Sequence, residues 1–347
     1  MATAYGLGLM MSAALSGASC TPEDRHVVVL LATFNGELYL DALLTSIFSQ
    51  THTKFTVVAR DDGSSDSTLD ILQEYAARFE SRLVLLTAAQ APATGRYRRG
   101  SIANYAALLA YLVSAEGQAN FENSDVVFAD QDDIWKVEKL SVMLIALVAE
   151  ETDAQPVLIY SDLEIVDSSA EQLSGSFYHY QNTSPNRISI NYLLPQNCVV
   201  GCASMMNWPL ITLATPLPES VCMHDHWIAL VASSMGRAKH ISERLVLYRQ
   251  HDGNDVGAKR WGLGYILAKL SHYFTGVDDR ESLAAYILQS QALLARYDRV
   301  LAPKQRDIVK NFSRIRQGNM FYRRWVMIKY RIYRAGLVRS LVLFMEL

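Results

Sequence analysis

The most restrictive feature of this sequence is a continuous apolar, largely β-branched run, His26-Val27-Val28-Val29-Leu30-Leu31-Ala32-Thr33, which leads into a turn at Asn35-Gly36. A strand with no polar alternation is buried on both faces, and that implies a parallel sheet covered by helices on either side. The following segments fit such a layout. A helical pattern places Leu40, Leu43, Leu44, Ile47 and Phe48 on one face, and a second short strand over 55–60 runs into Asp61-Asp62-Gly63-Ser64-Ser65-Asp66. Asp66 is placed to cap a helix carrying Leu69, Leu72, Tyr75 and Ala76. A strand over 83–87, a Gly- and Arg-containing loop through Gly100, a helix over 102–114 and a strand over 125–129 continue the alternation. The last strand ends in Asp130-Gln131-Asp132-Asp133, ahead of a helix over 137–149. Such β-α repetition predicts an α/β domain with right-handed crossovers.

From 151 to 255 the pattern is mixed: a strand near 157–161, a polar loop to about Arg187, an apolar strand over 198–205, a helix capped by Asp225 and a strand over 241–248. This reads as the second half of the same domain. Beyond Gly257 the periodic segments are all helical, near 260–274, 281–297, 303–317 and 320–345. The organisation expected is a disordered leader over 1–24, one domain over 25–255 and a helical region over 256–347.

Composition narrows the class. Half of the 347 residues are hydrophobic and 19% are charged, the balance of a chain that folds around a core. The four cysteines, Cys20, Cys198, Cys202 and Cys222, form no close doublets, so neither a zinc site nor a disulfide scaffold is indicated and a reducing compartment fits. Charge is unevenly spread. Residues 1–236 carry 11 Lys and Arg against 26 Asp and Glu, whereas residues 237–347 carry 21 against 9. No apolar run reaches the roughly 18–20 residues of a membrane span. Residues 1–22 lack charged side chains, but they also lack the basic start of a secretory signal and the apolar residue that a lipoprotein cleavage box wants at Gly17, so a leader or an overlong start is expected.

Two acidic clusters close buried strands, where open α/β sheets bind ligands, and so should converge. Carboxylates one residue apart, as in Asp130-Gln131-Asp132, can share a hard divalent cation such as Mg²⁺ or Mn²⁺, which in turn favours a diphosphate partner. Helix-capping acids ahead of Val137 are the plainer alternative. In the earlier cluster, carboxylates that accept from ring N–H groups or hydroxyls and a glycine that admits close backbone approach fit a base or ribose; an ordinary Asp/Gly/Ser turn would have the same composition. Trp135 and Trp208 read as core aromatics rather than sugar platforms.

Three segments together resemble glycosyltransferase family 2: Ala32-Thr33-Phe34-Asn35-Gly36, then Arg60-Asp61-Asp62-Gly63-Ser64-Ser65-Asp66-Ser67-Thr68, then Ala129-Asp130-Gln131-Asp132-Asp133-Ile134-Trp135. The last is similar to the rhamnosyltransferase-like branch, and the resemblance spans roughly 25–255. It implies a GT-A type, Rossmann-like, mostly parallel sheet flanked by helices, here with an α-helical C-terminal appendage. It also implies a nucleotide-sugar donor, a divalent cation and inversion at the anomeric carbon.

Position by position, the resemblance implies that Thr33 and Asn35 border the nucleotide, that Asp61 or Asp62 contacts base or ribose, and that Asp132 helped by Asp130 holds the metal. Gly100-Ser101-Ile102-Ala103-Asn104 is similar to a stretch that closes over the base. Tyr248-Arg249-Gln250-His251 resembles the closing segment, with Arg249 and His251 near the diphosphate or metal. Asp225, within Met223-His224-Asp225-His226-Trp227, takes the position of the general base that removes the acceptor hydroxyl's proton. His224 and His226 would tune its charge or touch acceptor hydroxyls.

The branch resemblance makes dTDP-L-rhamnose the expected donor, with a UDP-hexose as the alternative, and a saccharide or lipid-linked saccharide of a surface polysaccharide the expected acceptor. Residues 296–347 hold 13 Lys and Arg against 3 Asp and Glu, interleaved with Phe321, Tyr322, Trp325, Val326, Ile328, Tyr330, Ile332, Tyr333, Leu337 and Leu341. This pattern fits peripheral attachment to the cytoplasmic face of an anionic membrane; a solvated face covering its own domain, or a subunit contact, is the alternative. No nucleic-acid-binding signature accompanies the basic tail. Two rival readings remain: a sugar nucleotidylyltransferase, which would want a Gly-rich basic loop where Thr33-Phe34-Asn35-Gly36 stands, and a catalytically silent subunit of an assembly complex.

Overall fold

The computed structural model describes residues 21–91, 100–152, 154–251 and 280–347. The first twenty residues of the expected leader and the helix expected near 260–274 lie outside them. Residues Pro22–Asp24 form a 3₁₀ turn, and Asp24 pairs with Lys54 at 3.0 Å, so the last part of the expected leader is ordered.

The strands are β1 (Val27–Thr33), β2 (Phe55–Asp61), β3 (Leu83–Leu85), β4 (Asp125–Asp130), β5 (Ile134–Trp135), β6 (Val157–Val166), β7 (Gln172–Ser174), β8 (Ser204–Met206) and β9 (Arg237–Arg249). They form one sheet in the order β3-β2-β1-β4-β8-β6-β9-β5, with β7 beside β6. The first four run parallel; β8 is antiparallel to both β4 and β6, while β6 and β9 are parallel again. The run that opened the sequence behaves as its composition requires. Val28 and Leu30 face one apolar core and Val27, Val29 and Leu31 the other, and none of the five is solvent-accessible.

One face of the sheet is covered by α1 (Glu37–Phe48), α2 (Thr68–Phe79) and α5 (Lys139–Glu150). The other carries α3 (Ser101–Leu112), α8 (Trp208–Ala214), α9 (His224–Met235) and the C-terminal helices, with α4 (Ala115–Phe121), α6 (Phe177–Tyr180) and α7 (Ile190–Leu193) as short connectors. The C-terminal helices are α10 (Arg280–Tyr297), α11 (Pro303–Ser313), α12 (Met320–Tyr330) and α13 (Leu337–Glu346). This α-helical C-terminal region packs on the rest of the fold: Leu283, Phe312 and Val326 join the same core as Trp227 and Ile228.

Three expectations change. The strand foreseen over 198–205 is confined to β8, because the backbone before it is engaged by side chains: Val199 donates to Asn197 Oδ1 and Gly201 to Asp225 Oδ2. Asp225 is not the cap of α9; Met223 holds that position and Asp225 is the second helical residue. The helix foreseen over 320–345 is two helices. The chain turns at Arg331, whose φ of 53° is left-handed, and the Ile332 N–H reaches back to the Met327 carbonyl at 3.0 Å, which buries Ile332. Both Trp135 and Trp208 are buried, as expected of core residues.

Candidate active site

Register brings the first residues together. Thr33 at the end of β1 lies opposite Asp61 on β2, and Ala32 lies opposite Asp130 on β4, so three strand tips form one edge. Asp61 is fully engaged: Oδ2 accepts from the N–H of Gly63 (2.9 Å) and of Ser64 (2.7 Å), and Oδ1 from the Thr33 hydroxyl (3.0 Å) and the Ser64 hydroxyl. Gly63 has φ +90°, a value costly for other residues, and the loop closes on that account. Asn35, also at positive φ, accepts from the Ser65 N–H at 2.8 Å. Asp66 serves the first residues of two helices, accepting from the N–H of Glu37 and of Thr68.

Asp62 pairs with Arg60 at 3.2 Å and accepts from the Gly100 N–H at 2.8 Å. Asn104 is buried behind them. Its amide donates to the carbonyls of Thr33 and Arg60 and accepts from the Arg60 guanidinium, so it ties β1 to β2 and spends its hydrogen bonds within the protein.

The tip of β4 is different. Asp130 Oδ1 accepts from the Tyr105 hydroxyl at 2.8 Å, and burial, then the adjacent Asp132 charge, pushes its carboxyl up to about 6. Asp133 points inward. One oxygen accepts from the Arg249 N–H, the other lacks a geometrically adequate hydrogen-bond partner, and burial holds the carboxyl well above its usual range. Lys139, the first residue of α5, is the buried counter-charge: it donates to the Cys202 carbonyl at 2.6 Å and sits 3.3 Å above the centre of the Trp135 ring. Burial lowers its ammonium to about 7 against the opposing pull of Cys202, Asp133 and Asp130. Gln131 bridges to the first loop, exchanging hydrogen bonds with the Phe34 N–H and carbonyl, and a side chain at Gly36 would collide with it at 2.5 Å.

Asp132 meets His251, with Nε2 and Oδ2 2.9 Å apart. The Arg249 guanidinium donates to the Asp132 and Ser168 carbonyls and lies 4.6 Å from the centre of the Tyr39 ring, so here it clamps loops together. Two donor sets differ in their chemistry, and among the described residues only the inner one is gathered within reach of a single cation as folded. The inner one, Asp130, Asp133 and Cys202, has ligating atoms within 4.8 Å of one another. Burial raises both the Asp133 carboxyl and the Cys202 thiol, which disfavours the charged forms that ligate a cation, and a thiol suits softer metals. The outer set, half-buried Asp130, Asp132 and His251, offers oxygen and imidazole donors that fit Mg²⁺ or Mn²⁺.

Asp225 lies across from these groups, held by the Gly201 N–H (3.1 Å), the Asn197 amide (3.1 Å) and the His226 N–H (2.5 Å). Burial raises its carboxyl to about 7, and the Asp130 charge adds to that rise. His224 and His226 do not reach toward an acceptor. Both are buried, and burial pulls them down to about 3 and about 4, so they are neutral. His224 stacks on Tyr105 at 4.0 Å and His226 bonds the Leu193 carbonyl, so they support the floor of the site.

The sequence left Arg60, Tyr105, Lys139 and Asn197 without a role. The one visible signal was a cation placed against the apolar pattern, at the end of a buried strand for Arg60 and at the head of an apolar helix for Lys139.

A family model for "Glycosyl transferase family 2" matches residues 28–206, which include the strand tips just described. The chain belongs to this family. It is a glycosyltransferase, and its sheet and flanking helices have the GT-A fold. Among characterised relatives it is similar to the dTDP-rhamnosyl transferase RfbG of Shigella flexneri, with 25% identity over 66% of this chain and 74% of the relative. It is also similar to the UDP-Glc:alpha-D-GlcNAc-diphosphoundecaprenol beta-1,3-glucosyltransferase WfgD of Escherichia coli, with 26% identity over 53% of this chain and 60% of that one. Of solved structures, S. aureus TarS 1–349 in complex with UDP-GlcNAc superposes with a TM-score of 0.50 at 18% identity, covering 88% of this chain and 91% of TarS, a likeness of fold.

Proposed function

We propose that this glycosyltransferase is an inverting enzyme that moves L-rhamnose from dTDP-L-rhamnose to a hydroxyl of a lipid-linked saccharide during surface polysaccharide synthesis, at the cytoplasmic face of a membrane. The observation that carries the reading is the pair of Asp130 and Asp225, electrostatically coupled across the site, with Asp225 raised to about 7 by burial. A carboxyl at that value divides its time between acid and base near neutrality, which is what a general base needs.

In this mechanism the nucleotide lies against Thr33, Asn35, Asp61 and Asp62, while Asn104 and Arg60 hold that edge in shape. Asp130, Asp132 and His251 would hold a divalent cation, with Arg249 fixing the loop that carries Asp132. When bound, the cation supplies charge neutralisation for the departing diphosphate. Asp225 accepts the proton of the acceptor hydroxyl as its oxygen bonds to the anomeric carbon. The bond from that carbon to the diphosphate oxygen breaks, and its electron pair leaves with the nucleoside diphosphate. Attack from the opposite face inverts the configuration.

Rhamnose as donor is supported by the branch-like Asp-Gln-Asp-Asp-Ile-Trp segment and by the similarity to the Shigella enzyme. A UDP-hexose donor is the second reading, favoured by the similarity to the E. coli glucosyltransferase. The test is a panel of nucleotide sugars scored by thermal stabilisation with and without Mn²⁺ or Mg²⁺, because a ligand of the native state raises its apparent stability. Stabilisation by dTDP-L-rhamnose that needs the metal is the expected result. Preference for a UDP-hexose replaces the donor, and consumption of nucleoside triphosphate without transfer replaces the reaction.

A further inference from the structure

Among the described residues, exposed large apolar side chains concentrate in one short stretch near the C-terminus. Phe321 (78% exposed), Trp325 and Ile328 (62%) recur at intervals of four and three on α12, so they share one outward face. The opposite side of the same helix is anchored by buried Val326 and Met327. On α13, Leu337 (88% exposed) and Leu341 likewise face outward while Val342 and Leu343 are buried. The two helices are joined along this side, since the Arg324 guanidinium lies 3.8 Å from the centre of the Phe344 ring.

The apolar face is bordered mainly by cations, with exposed Asp307 paired to one of them, Lys329, at 3.9 Å. Lys329 sits 4.4 Å from the centre of the Trp325 ring, and Arg314, Arg316 and Arg331 are exposed nearby in the chain. A cation beside an aromatic ring with its charged end in water is the arrangement amphipathic side chains adopt at a lipid interface. Neither helix can cross a bilayer: α12 has 11 residues and α13 has 10, lengths suited to lying in the interfacial plane.

This surface is coupled to the site through three consecutive residues. Arg334 donates to the Pro195 carbonyl, the Ala335 N–H donates to Gln196 Oε1, and Asn197 donates to Asp225. Whatever holds α12 and α13 therefore also sets the orientation of the side on which Asp225 receives its acceptor.

We propose that the face made by Phe321, Trp325, Ile328, Leu337 and Leu341 docks on an anionic lipid bilayer and so presents the Asp225 side of the site to membrane-borne substrates. The inference deepens the proposed membrane association and rests on it for its purpose. Charge complementarity selects the occupant, because exposed Arg314, Arg316 and Arg331 adjoin the face in the chain and would meet their own like charges if a second copy of the same surface docked there.

The experiment is vesicle co-sedimentation of the full chain, using vesicles of phosphatidylcholine alone or mixed equally with phosphatidylglycerol. Nucleotide-sugar hydrolysis in vesicle-free buffer is measured in parallel. The full chain should partition onto the anionic vesicles about tenfold more strongly than onto neutral ones, with loss at high salt. The combined variant Phe321→Ser, Trp325→Ser, Ile328→Ser should lose about tenfold or more of that partition. Leu337→Ser with Leu341→Ser should lose a smaller part, and both should keep hydrolysis. Unchanged partition in the triple variant overturns the proposal, as does wild-type protein that ignores vesicles but self-associates through these residues. Vesicle binding that needs them, in a protein without hydrolysis, upholds the surface and removes the enzymatic reading instead.

Discussion

Asp61 ends β2 and Asp133 follows the end of β4, the two strands that flank β1 in one parallel run, yet their surroundings are opposite. The Asp61 carboxylate accepts from two backbone N–H groups and two hydroxyls of its own loop and of β1. Asp133 lies among two other acids and a thiol, leaves one oxygen without a geometric partner, and is held above its ordinary range by burial. The first loop is complete as folded. In the second, burial opposes the charge of carboxyls that its hydrogen bonds only partly satisfy, and Lys139 is the buried base set against them. The contrast separates the loop proposed to receive the nucleotide, which is satisfied as folded, from the edge proposed to hold the cation, which is not.

The comparison breaks most readily at Asp132. Asp132→Ala removes a donor from the outer set and leaves His251 without that partner. Transfer should fall by about a thousandfold or more, the several kcal/mol that a cation supplies to a departing phosphate. Metal-dependent donor binding, read by calorimetry, should weaken with it. Asp225→Asn should lower transfer by about a hundred- to a thousandfold, the usual reach of a general base, while leaving donor binding within about twofold. Equal loss of donor binding in both variants would merge the two roles and defeat the proposed division.

Next in size is the response to pH. In the proposed role Asp225 acts as the carboxylate, and burial raises it to about 7, so transfer should rise through pH 7 and fall about tenfold per unit below it. A saturating divalent cation beside Asp130 favours the charged form and should move this limb to lower pH. A pH–rate profile flat from 5 to 8 would exclude Asp225 as the base.

Lys139→Met tests the charge argument directly. Deleting one member of a buried charged cluster leaves the others uncompensated, at a cost of about 3–5 kcal/mol. A drop in Tm alone would suit any buried residue. The discriminating result is a larger Mn²⁺-induced rise in Tm than in the wild type, since the cation then answers for more of the negative charge. An equal rise would mean that Lys139 only packs against Trp135.

What could be read from the chain follows the same divide. β1, β2 and β4 and their covering helices were legible because a doubly buried strand has a pattern no other element imitates. The convergence of Asp61 and Asp130 followed from their places at parallel strand ends. The 198–205 segment was misread because apolar composition does not reveal that its N–H groups bond Asn197 and Asp225 rather than a neighbouring strand. Asp225 looked like a cap because short acids favour that position, whereas it is the second residue of α9 with its carboxylate turned to Gly201 and Asn197. Arg249 and Asn104 stand in motif positions that suggest ligand contact, and the fold adds what the sequence does not show: Arg249 also holds the Asp132 and Ser168 carbonyls, and Asn104 those of Thr33 and Arg60. Sequence marks that a polar residue belongs to a site; only the fold distinguishes the group that touches a ligand from the group that holds another in place.

The smallest expected effect sharpens the other half of the comparison. Asp61→Asn keeps one acceptor oxygen, which can still serve either the Gly63 and Ser64 N–H groups or the Thr33 and Ser64 hydroxyls, but its amide cannot accept from the second pair. The loop should therefore loosen without collapsing, at about 1–2 kcal/mol of stability for donors left unsatisfied in a half-buried place. A looser loop receives the nucleotide less well, so the donor KM should rise several-fold while kcat stays within about twofold, because nothing at Asp61 is needed only in the transition state. A fall in kcat comparable to that of Asp132→Ala would mean that the completed loop also shapes the reacting centre, and the separation between a nucleotide scaffold and a charged catalytic edge would have to be abandoned.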